Sequence, residues 1–86
     1  MKIFAYQKFR KLFRNLPDNI QKKAEKQIKV LSQNIKHPSL QTKKIKGTDG
    51  IWEARVDDSY RMTFEIIEDS IYLRVIGSHD ESLKNP

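Results

Sequence analysis

The sequence has 86 residues, a formal net charge of +6 and a hydrophobic content of 37%. This length provides one modest hydrophobic core, so we expect a single domain that spans residues 1–86. The chain has no cysteine, which excludes a disulfide framework and a thiolate metal site, and its two histidines lie far apart in the sequence. We therefore expect neither a metal site nor another cofactor.

The N-terminal segment, Met1–Lys8, lacks the apolar run of a signal peptide. No later segment has the length and hydrophobicity of a membrane span. The sequence therefore predicts a soluble, cytoplasmic protein without a membrane partner.

Charge is distributed unevenly along the chain. Residues 1–46 contain 13 Lys and Arg against 2 Asp and Glu, whereas residues 47–86 contain 4 against 9. Such a basic half would attract nucleic acid at long range and in a salt-dependent way. The alternative is that its lysines form solubilising outer faces of helices, which are common in globular proteins.

Apolar residues recur at helical spacing in two successive segments of this basic half. The first set is Phe9, Leu12, Phe13 and Leu16, and the second is Ile20, Ala24, Ile28 and Leu31. Pro17 and Asp18 form a typical helix start for the second segment. We expect two amphipathic helices that cover one face of a sheet.

The next residues, 37–46, are expected to form an exposed loop that leads into an edge strand. Lys43, Lys44 and Lys46 are available there to phosphate groups, or they protect the edge from pairing with another chain. Polar turn residues bound four short strand candidates, which predict an antiparallel meander. These candidates are Thr42–Lys46, Ile51–Val56, Tyr60–Ile66 and Ile71–Ile76.

The register of the second and third strands follows from their apolar alternation, because a slip of one residue would send each core side chain to the wrong face. Matching the alternation pairs Trp52 with Phe64 on the apolar face. The intervening residues then point to the other face, where Arg55 lies directly opposite Arg61. Like charges in this position are destabilising, so either a carboxylate neutralises them or the site binds an anion.

The same matching extends to the last strand. It pairs Met62 with Val75 and places Arg74 opposite Thr63, so that three arginines share one open face. Glu53 is expected on this face, close to Arg55 and opposite Lys44. A solvated face of mixed charge with weak ion pairs is therefore the alternative interpretation.

Six segments in this order and spacing resemble the RelE/ParE superfamily of bacterial and archaeal toxins from toxin–antitoxin pairs. They are Leu16–Pro17, His37–Leu40, Lys43–Gly47, Gly50–Val56, Asp58–Arg61 and Ile76–Asp80. The resemblance covers the chain from about Phe9 to Glu81. It implies an α+β fold in which two N-terminal helices pack on a four-stranded antiparallel sheet, and an additional short N-terminal strand is compatible with this fold.

Many members of this superfamily cut messenger RNA in the ribosomal A site without a metal, through attack of the 2′-hydroxyl on the adjacent phosphate. The resemblance to the RelE, YafQ and YoeB branch implies such an endoribonuclease toxin, with the ribosome, messenger RNA and a cognate antitoxin as partners. Two alternatives stay open. One is a ParE-like noncatalytic toxin that inhibits DNA gyrase, and the other is a noncatalytic remnant that only binds an antitoxin.

The resemblance also implies roles for individual residues. Arg61 would stabilise the charge of the transition state, and Arg55 corresponds to a basic residue on the second strand of related toxins. Glu53 is the candidate general base. His79 matches the position of the general acid, and an imidazole suits proton transfer at cellular pH; the alternative is a surface histidine bonded to Asp80 or Glu81.

RNA binding is expected from basic residues around this site. They are Lys43, Lys44, Lys46 and Arg74. Several active relatives carry an aromatic residue shortly after the general acid, where it stacks on a base, but the segment from Glu81 to Pro86 has none. Base stacking must therefore come from another part of this chain or be weak.

Overall fold

Alternating apolar residues in the second half of the chain form the centre of a five-stranded sheet, and the two basic amphipathic segments form helices on one of its faces. The computed structural model describes residues 1–86. Its strands are β1 (Lys2–Ala5), β2 (Lys43–Lys44), β3 (Ile51–Arg55), β4 (Tyr60–Ile67) and β5 (Ser70–Ser78). Its helices are α1 (Gln7–Arg14), α2 (Asp18–Gln33) and α3 (His79–Lys84), with a short 3-10 helix at Pro38–Leu40.

The order of the strands across the sheet is β1-β5-β4-β3-β2. Three pairs of strands are antiparallel, namely β2 with β3, β3 with β4 and β4 with β5. Strand β1 pairs with the other edge of β5 in parallel. The predicted α+β arrangement is confirmed, including a short N-terminal strand. The sheet is mixed because this strand adds a parallel edge to the antiparallel meander.

The predicted register of β3 and β4 is confirmed. Trp52 pairs with Phe64, and Arg55 lies opposite Arg61. The predicted pairing of Phe64 with Leu73 is confirmed. From Thr63 to the start of β4 the predicted pairing with β5 is wrong by one residue, because a β-bulge separates Thr63 from Phe64. Thr63 pairs with Val75 rather than with Arg74, which is the extra residue on the bulged strand.

The core lies between the helices and the sheet. Its helical residues include Phe9, Ile20, Ala24 and Leu31, and its sheet residues include Ala54, Met62, Phe64, Ile71, Leu73 and Ile76. Burial of a side chain as large as Leu, Ile or Phe contributes about 1.5–3 kcal/mol. The apolar periodicity of both segments is therefore what fixes the helices to this face of the sheet.

The loop between α2 and β3 differs from its prediction as an exposed segment. Leu40 is fully buried in the core. The buried amide of Gln27 donates to the carbonyl oxygens of Ser39 and Arg55 at 3.2 and 3.0 Å, so it connects α2 to the loop and to β3. Strand β2 is also shorter than predicted, because the chain turns towards β3 through Gly47 and Gly50, which have φ angles of +79° and +77°.

Helix α3, which the sequence pattern did not predict, packs on the face of the sheet opposite α1 and α2. Ser82 on this helix and Thr63 below it are fully buried. The Thr63 hydroxyl donates to the Pro86 carbonyl oxygen at 2.9 Å. Ser78 caps the helix by accepting from the Glu81 N–H at 3.3 Å, a pattern that the spacing of Ser78 and Glu81 could have indicated. None of the helices combines the length and hydrophobicity needed to cross a membrane.

Candidate active site

The sheet face opposite α1 and α2 carries the predicted catalytic residues. Alternation along β3 and β4 places Glu53, Arg55, Arg61 and Thr63 on this face, away from the core. Helix α3 covers part of it. We call this surface the open face.

Each of the two opposed arginines has its own carboxylate partner. Arg61 Nε lies 3.8 Å from Glu53 Oε1, and the Arg55 guanidinium contacts the Asp58 carboxylate. These carboxylates offset the repulsion between the arginines, which was the first of the two expectations from the sequence. The Asp58 side chain is 95% exposed, so its ion pair is weak and leaves Arg55 available to a phosphate.

Glu53 is the most deeply buried ionisable residue of the site, with only 3% of its surface exposed. Its Oε1 atom faces Arg61 and also lies 4.0 Å from Lys43 Nζ. Its Oε2 atom is buried and has no hydrogen-bond partner. An unpartnered buried oxygen costs free energy of folding, and it is also free to accept a proton.

Three lysines and Glu53 line a common cleft of about 350 Å³, which Leu83 of α3 closes on one side. Lys43 pairs with Glu53 across the strands, whereas Lys44 pairs with Trp52. The prediction that Lys44 lies opposite Glu53 is therefore wrong by one residue. Lys44 Nζ lies 5.4 Å from the centroid of a Trp52 ring, so this ammonium packs on the indole by a cation–π contact.

His79 lies at the start of α3, next to the Arg61 end of the site. Its backbone N–H donates to the Ser59 carbonyl oxygen at 2.9 Å. Gly77, two residues earlier, pairs with Arg61, and two residues correspond to about 7 Å along a strand. The imidazole is 47% exposed, and its Nδ1 atom lies 3.6 Å from Asp80 Oδ1. The imidazole is therefore accessible to solvent, and its side-chain contact is with Asp80 rather than with Glu53 or Arg61.

The turn between β3 and β4 fixes the position of Arg61. Asp57 Oδ1 accepts from the backbone N–H groups of Ser59 and Tyr60 at 2.9 and 2.8 Å, and Arg61 Nη1 donates to the carbonyl oxygens of Asp57 and Tyr60. Burial alone would raise the pKa of Asp57, but these two N–H groups and the Lys23 ammonium outweigh it, so the pKa is lowered. The polar residues between the two strand candidates predicted a turn but not this role of Asp57. The turn preference of Asp could have indicated it.

Arg74 does not join the cluster around Glu53 and Arg61. Its Nε atom donates to the Pro86 carbonyl oxygen at 3.0 Å, and its Nη1 atom donates to Glu65 Oε1 at 3.2 Å. Arg74 precedes Gly77 by three residues, about 10 Å along the strand. It therefore lies on a separate part of the open face, which is described below. No group of three or more His, Asp or Glu side chains is arranged to hold a metal ion.

The fold is shared with solved toxin structures. The chain is 24% identical to a chain of the RelB–RelE antitoxin–toxin complex from Methanococcus jannaschii, with a TM-score of 0.76 and coverage of 91% of this chain and 92% of that chain. For a YoeB/ParE toxin from Agrobacterium tumefaciens the identity is 13%, the TM-score 0.78 and the coverage 92% and 99%. For YafQ from E. coli the identity is 12%, the TM-score 0.78 and the coverage 93% and 94%.

A search among curated proteins finds no match. A family model for the ParE-like toxin domain matches residues 18–81, which include α2, the sheet from β2 to β5 and His79. The chain therefore belongs to the ParE-like toxin domain family, within the RelE/ParE superfamily of toxins.

Proposed function

We propose that this toxin is an endoribonuclease that cuts messenger RNA on the ribosome, with its reaction centre on the open face. The observation that carries the proposal is the Glu53 carboxylate, which lines the cleft and has its Oε1 atom beside Arg61 and Lys43. A general base needs a free lone pair, and a phosphate needs nearby cations. This arrangement supplies both within one cleft.

The reaction proceeds by transfer of the RNA phosphodiester to an internal hydroxyl. The Glu53 carboxylate accepts the proton of the 2′-hydroxyl, and the 2′ oxygen forms a bond to phosphorus. The bond from phosphorus to the 5′ oxygen breaks, which leaves a 2′,3′-cyclic phosphate. Protonated His79 donates a proton to the departing 5′ oxygen, while Arg61 stabilises the negative charge that develops on the phosphate oxygens.

Arg55, Lys43 and Lys46 hold the RNA around this centre. The Arg55 partner, Asp58, is so exposed that a phosphate can replace it at little cost. Lys43 and Lys46 line the cleft above Glu53. Lys44 also lines this cleft, but its ammonium packs on Trp52. We assign Arg74 to RNA binding outside the centre.

A cognate antitoxin is the second proposed partner. Structures that share this fold are described as antitoxin–toxin complexes, from Methanococcus jannaschii and from E. coli. This chain has an apolar groove of about 350 Å³ beside α1, lined by Phe9, Phe13 and Ile28 and flanked by Arg10 and Arg14. An amphipathic antitoxin segment with acidic residues fits this groove by shape and charge.

Primer extension on a defined messenger in a purified translation system tests the nuclease. The wild type is compared with an Arg61→Ala, His79→Ala double variant, and Lys29→Ala, on the exposed side of α2, is the matched control. We expect cuts that depend on ribosomes for the wild type and the control, and a loss of at least about 100-fold for the double variant.

Two results would contradict the proposal. Equal cutting by the double variant would show that the reaction centre lies elsewhere. An intact messenger in a reaction that translates normally would favour the ParE-like alternative, a toxin that inhibits DNA gyrase without catalysis. That alternative predicts DNA damage after induction of the protein in cells.

A further inference from the structure

A row of aromatic rings, two of them exposed and the middle one half-buried, lies on the open face at the β1 edge of the sheet. It consists of Phe4, Tyr72 and Tyr6, and we call it the aromatic ladder. We propose that the aromatic ladder binds unpaired bases of single-stranded RNA by stacking. This inference rests on the proposed function and deepens it, because the ladder would hold the substrate at a distance from the cleaved bond.

The rings of the ladder are nearly parallel. The ring centroids of Phe4 and Tyr72 lie 5.1 Å apart with an interplanar angle of 20°, and those of Tyr72 and Tyr6 lie 5.8 Å apart with an angle of 30°. The Arg74 guanidinium lies 5.8 Å from the Tyr6 centroid and continues the row. Four flat groups thus follow one another, which is the geometry that stacked bases extend.

The ladder is open to solvent. Phe4 is 45% exposed and Tyr6 is 40% exposed, whereas the core of the protein lies on the other face of the sheet. Isolated exposed apolar residues are common on protein surfaces, whereas here two exposed rings flank a half-buried ring and lie beside a cation. The pairing of Phe4 with Tyr72 helps to hold β1, yet it does not account for the exposed ring of Tyr6.

Charges around the ladder favour RNA. Lys2, which shares the strand face of Phe4, and Lys8 have no carboxylate partner, and Glu65 is already paired with Arg74. The Tyr6 hydroxyl also donates to Glu65, and this hydrogen bond raises the pKa of the phenol, which therefore stays neutral. A protein partner would favour a continuous apolar surface, whereas alternating rings and cations match the bases and phosphates of RNA.

A cleft and the strand register connect the ladder to the reaction centre. Tyr6, Lys8 and Arg74 line a cleft of about 210 Å³ that ends at Pro86. Tyr72 pairs with Glu65, and Glu65 follows Arg61 by four residues, about 13 Å along β4. Helix α3 covers Thr63 between the two places, so RNA that occupies both would pass over α3. The sequence could have indicated the ladder by the alternation of Lys2, Phe4, Tyr6 and Lys8, together with Tyr72.

Fluorescence titration of a single-stranded RNA hexamer that contains 2-aminopurine tests the ladder, because stacking quenches this base. Phe4→Leu keeps an apolar side chain beside β5 but removes the ring, and Phe4→Trp keeps a ring. We expect Phe4→Leu to weaken binding about 5- to 100-fold and to abolish most of the quenching. Phe4→Trp should bind like the wild type, and so should Ile66→Ala, which removes an exposed side chain that pairs with core Ile71.

The outcomes separate this inference from the proposed nuclease. Quenching that depends on the Phe4 ring supports the ladder even if the wild type leaves messenger RNA intact, in which case only the nuclease proposal fails. Equal binding by the wild type and Phe4→Leu overturns the ladder, whether or not the wild type cuts messenger RNA. Equal RNA binding together with a weaker antitoxin complex in Phe4→Leu would show that the ladder is a protein-docking surface instead. Unfolding temperatures of all variants confirm that each is folded.

Discussion

Glu53 combines a structural contact and a proposed chemical role in one carboxylate. Its Oε1 atom balances Arg61, and its Oε2 atom has no partner. An uncompensated arginine opposite Arg55 would be unfavourable, so the carboxylate is needed even without catalysis. The two roles can be separated by a substitution that keeps the shape and removes the charge.

Glu53→Gln is that substitution. The amide cannot accept the 2′-hydroxyl proton, so we expect ribosome-dependent cleavage to fall at least about 100-fold. The amide keeps the shape of the side chain and leaves an oxygen beside Arg61, so the free energy of unfolding should fall by no more than about 2 kcal/mol. Cleavage assays and urea unfolding measure the two effects.

Glu25→Gln is the matched control, because it removes the same charge from an exposed position on α2, on the far side of the sheet. It should leave the cleavage rate nearly unchanged. A Glu53→Gln variant that cleaves as fast as the wild type would limit Glu53 to the role of a counter-ion.

At the scale of residues, alternation predicted which side chains share the open face but not what they contact. The period of two along β3 and β4 placed Glu53, Arg55 and Arg61 correctly. Side-chain rotamers and the turn determine that Glu53 contacts Arg61 and that Asp58 contacts Arg55. Such contacts lie outside what a pattern of residue types can specify.

The element that orients Arg61 is the turn between β3 and β4, and its stability should depend on pH. The pKa of Asp57 is lowered in the folded protein from its ordinary value of 3.8. A lowered pKa means that the ionised carboxylate stabilises the fold above pH 3.8, and that this contribution is lost as the pH falls through the lower folded value.

Asp57→Asn tests this contribution, because the amide oxygen keeps an acceptor for the turn while the charge is removed. At pH 7 we expect the variant to be about 0.5–2 kcal/mol less stable than the wild type. The difference should shrink as the pH falls below 3.8, where the wild-type carboxylate becomes protonated. Urea unfolding at a series of pH values measures it.

Asp58→Asn is the control for this series, since its side chain is 95% exposed and contacts Arg55 alone. Its effect on stability should be small at every pH. If the difference between Asp57→Asn and the wild type were independent of pH, the ionised state of Asp57 would not contribute to the turn.

At the scale of elements, long periodic segments were predictable and short or irregular ones were not. The pattern identified α1, α2 and the three long strands because each repeats its period several times. Strand β2 has only two residues, and the bulge at Arg74 adds one residue without disturbing the apolar alternation around it. Helix α3 depends on a cap at Ser78. It also depends on the hydrogen bond between Pro86, which lies shortly after the helix, and Thr63, which is distant in the sequence.

At the scale of the whole molecule, the two halves of the chain differ in net charge, but the fold places residues of both halves in one cleft. Lys43 and Lys46, from the basic half, line one cleft together with Glu53 of the acidic half. Other lysines of the basic half are exposed on α1 and α2, on the far side of the sheet. The overall charge of +6 and the local charge of the cleft would therefore make separate contributions to the proposed RNA binding.

The salt dependence of RNA binding measures these contributions separately. In single-stranded RNA each neutralised phosphate adds about 0.7 to the slope of log K against log salt. Alanine substitution of Lys43, Lys44 and Lys46 together should reduce the slope by about 1–2. Alanine substitution of Lys11, Lys22 and Lys29 removes the same net charge from the exposed helices and should change the slope by less than about 0.5. Equal reductions would mean that RNA responds to the charge of the whole molecule and that the cleft gives it no fixed position.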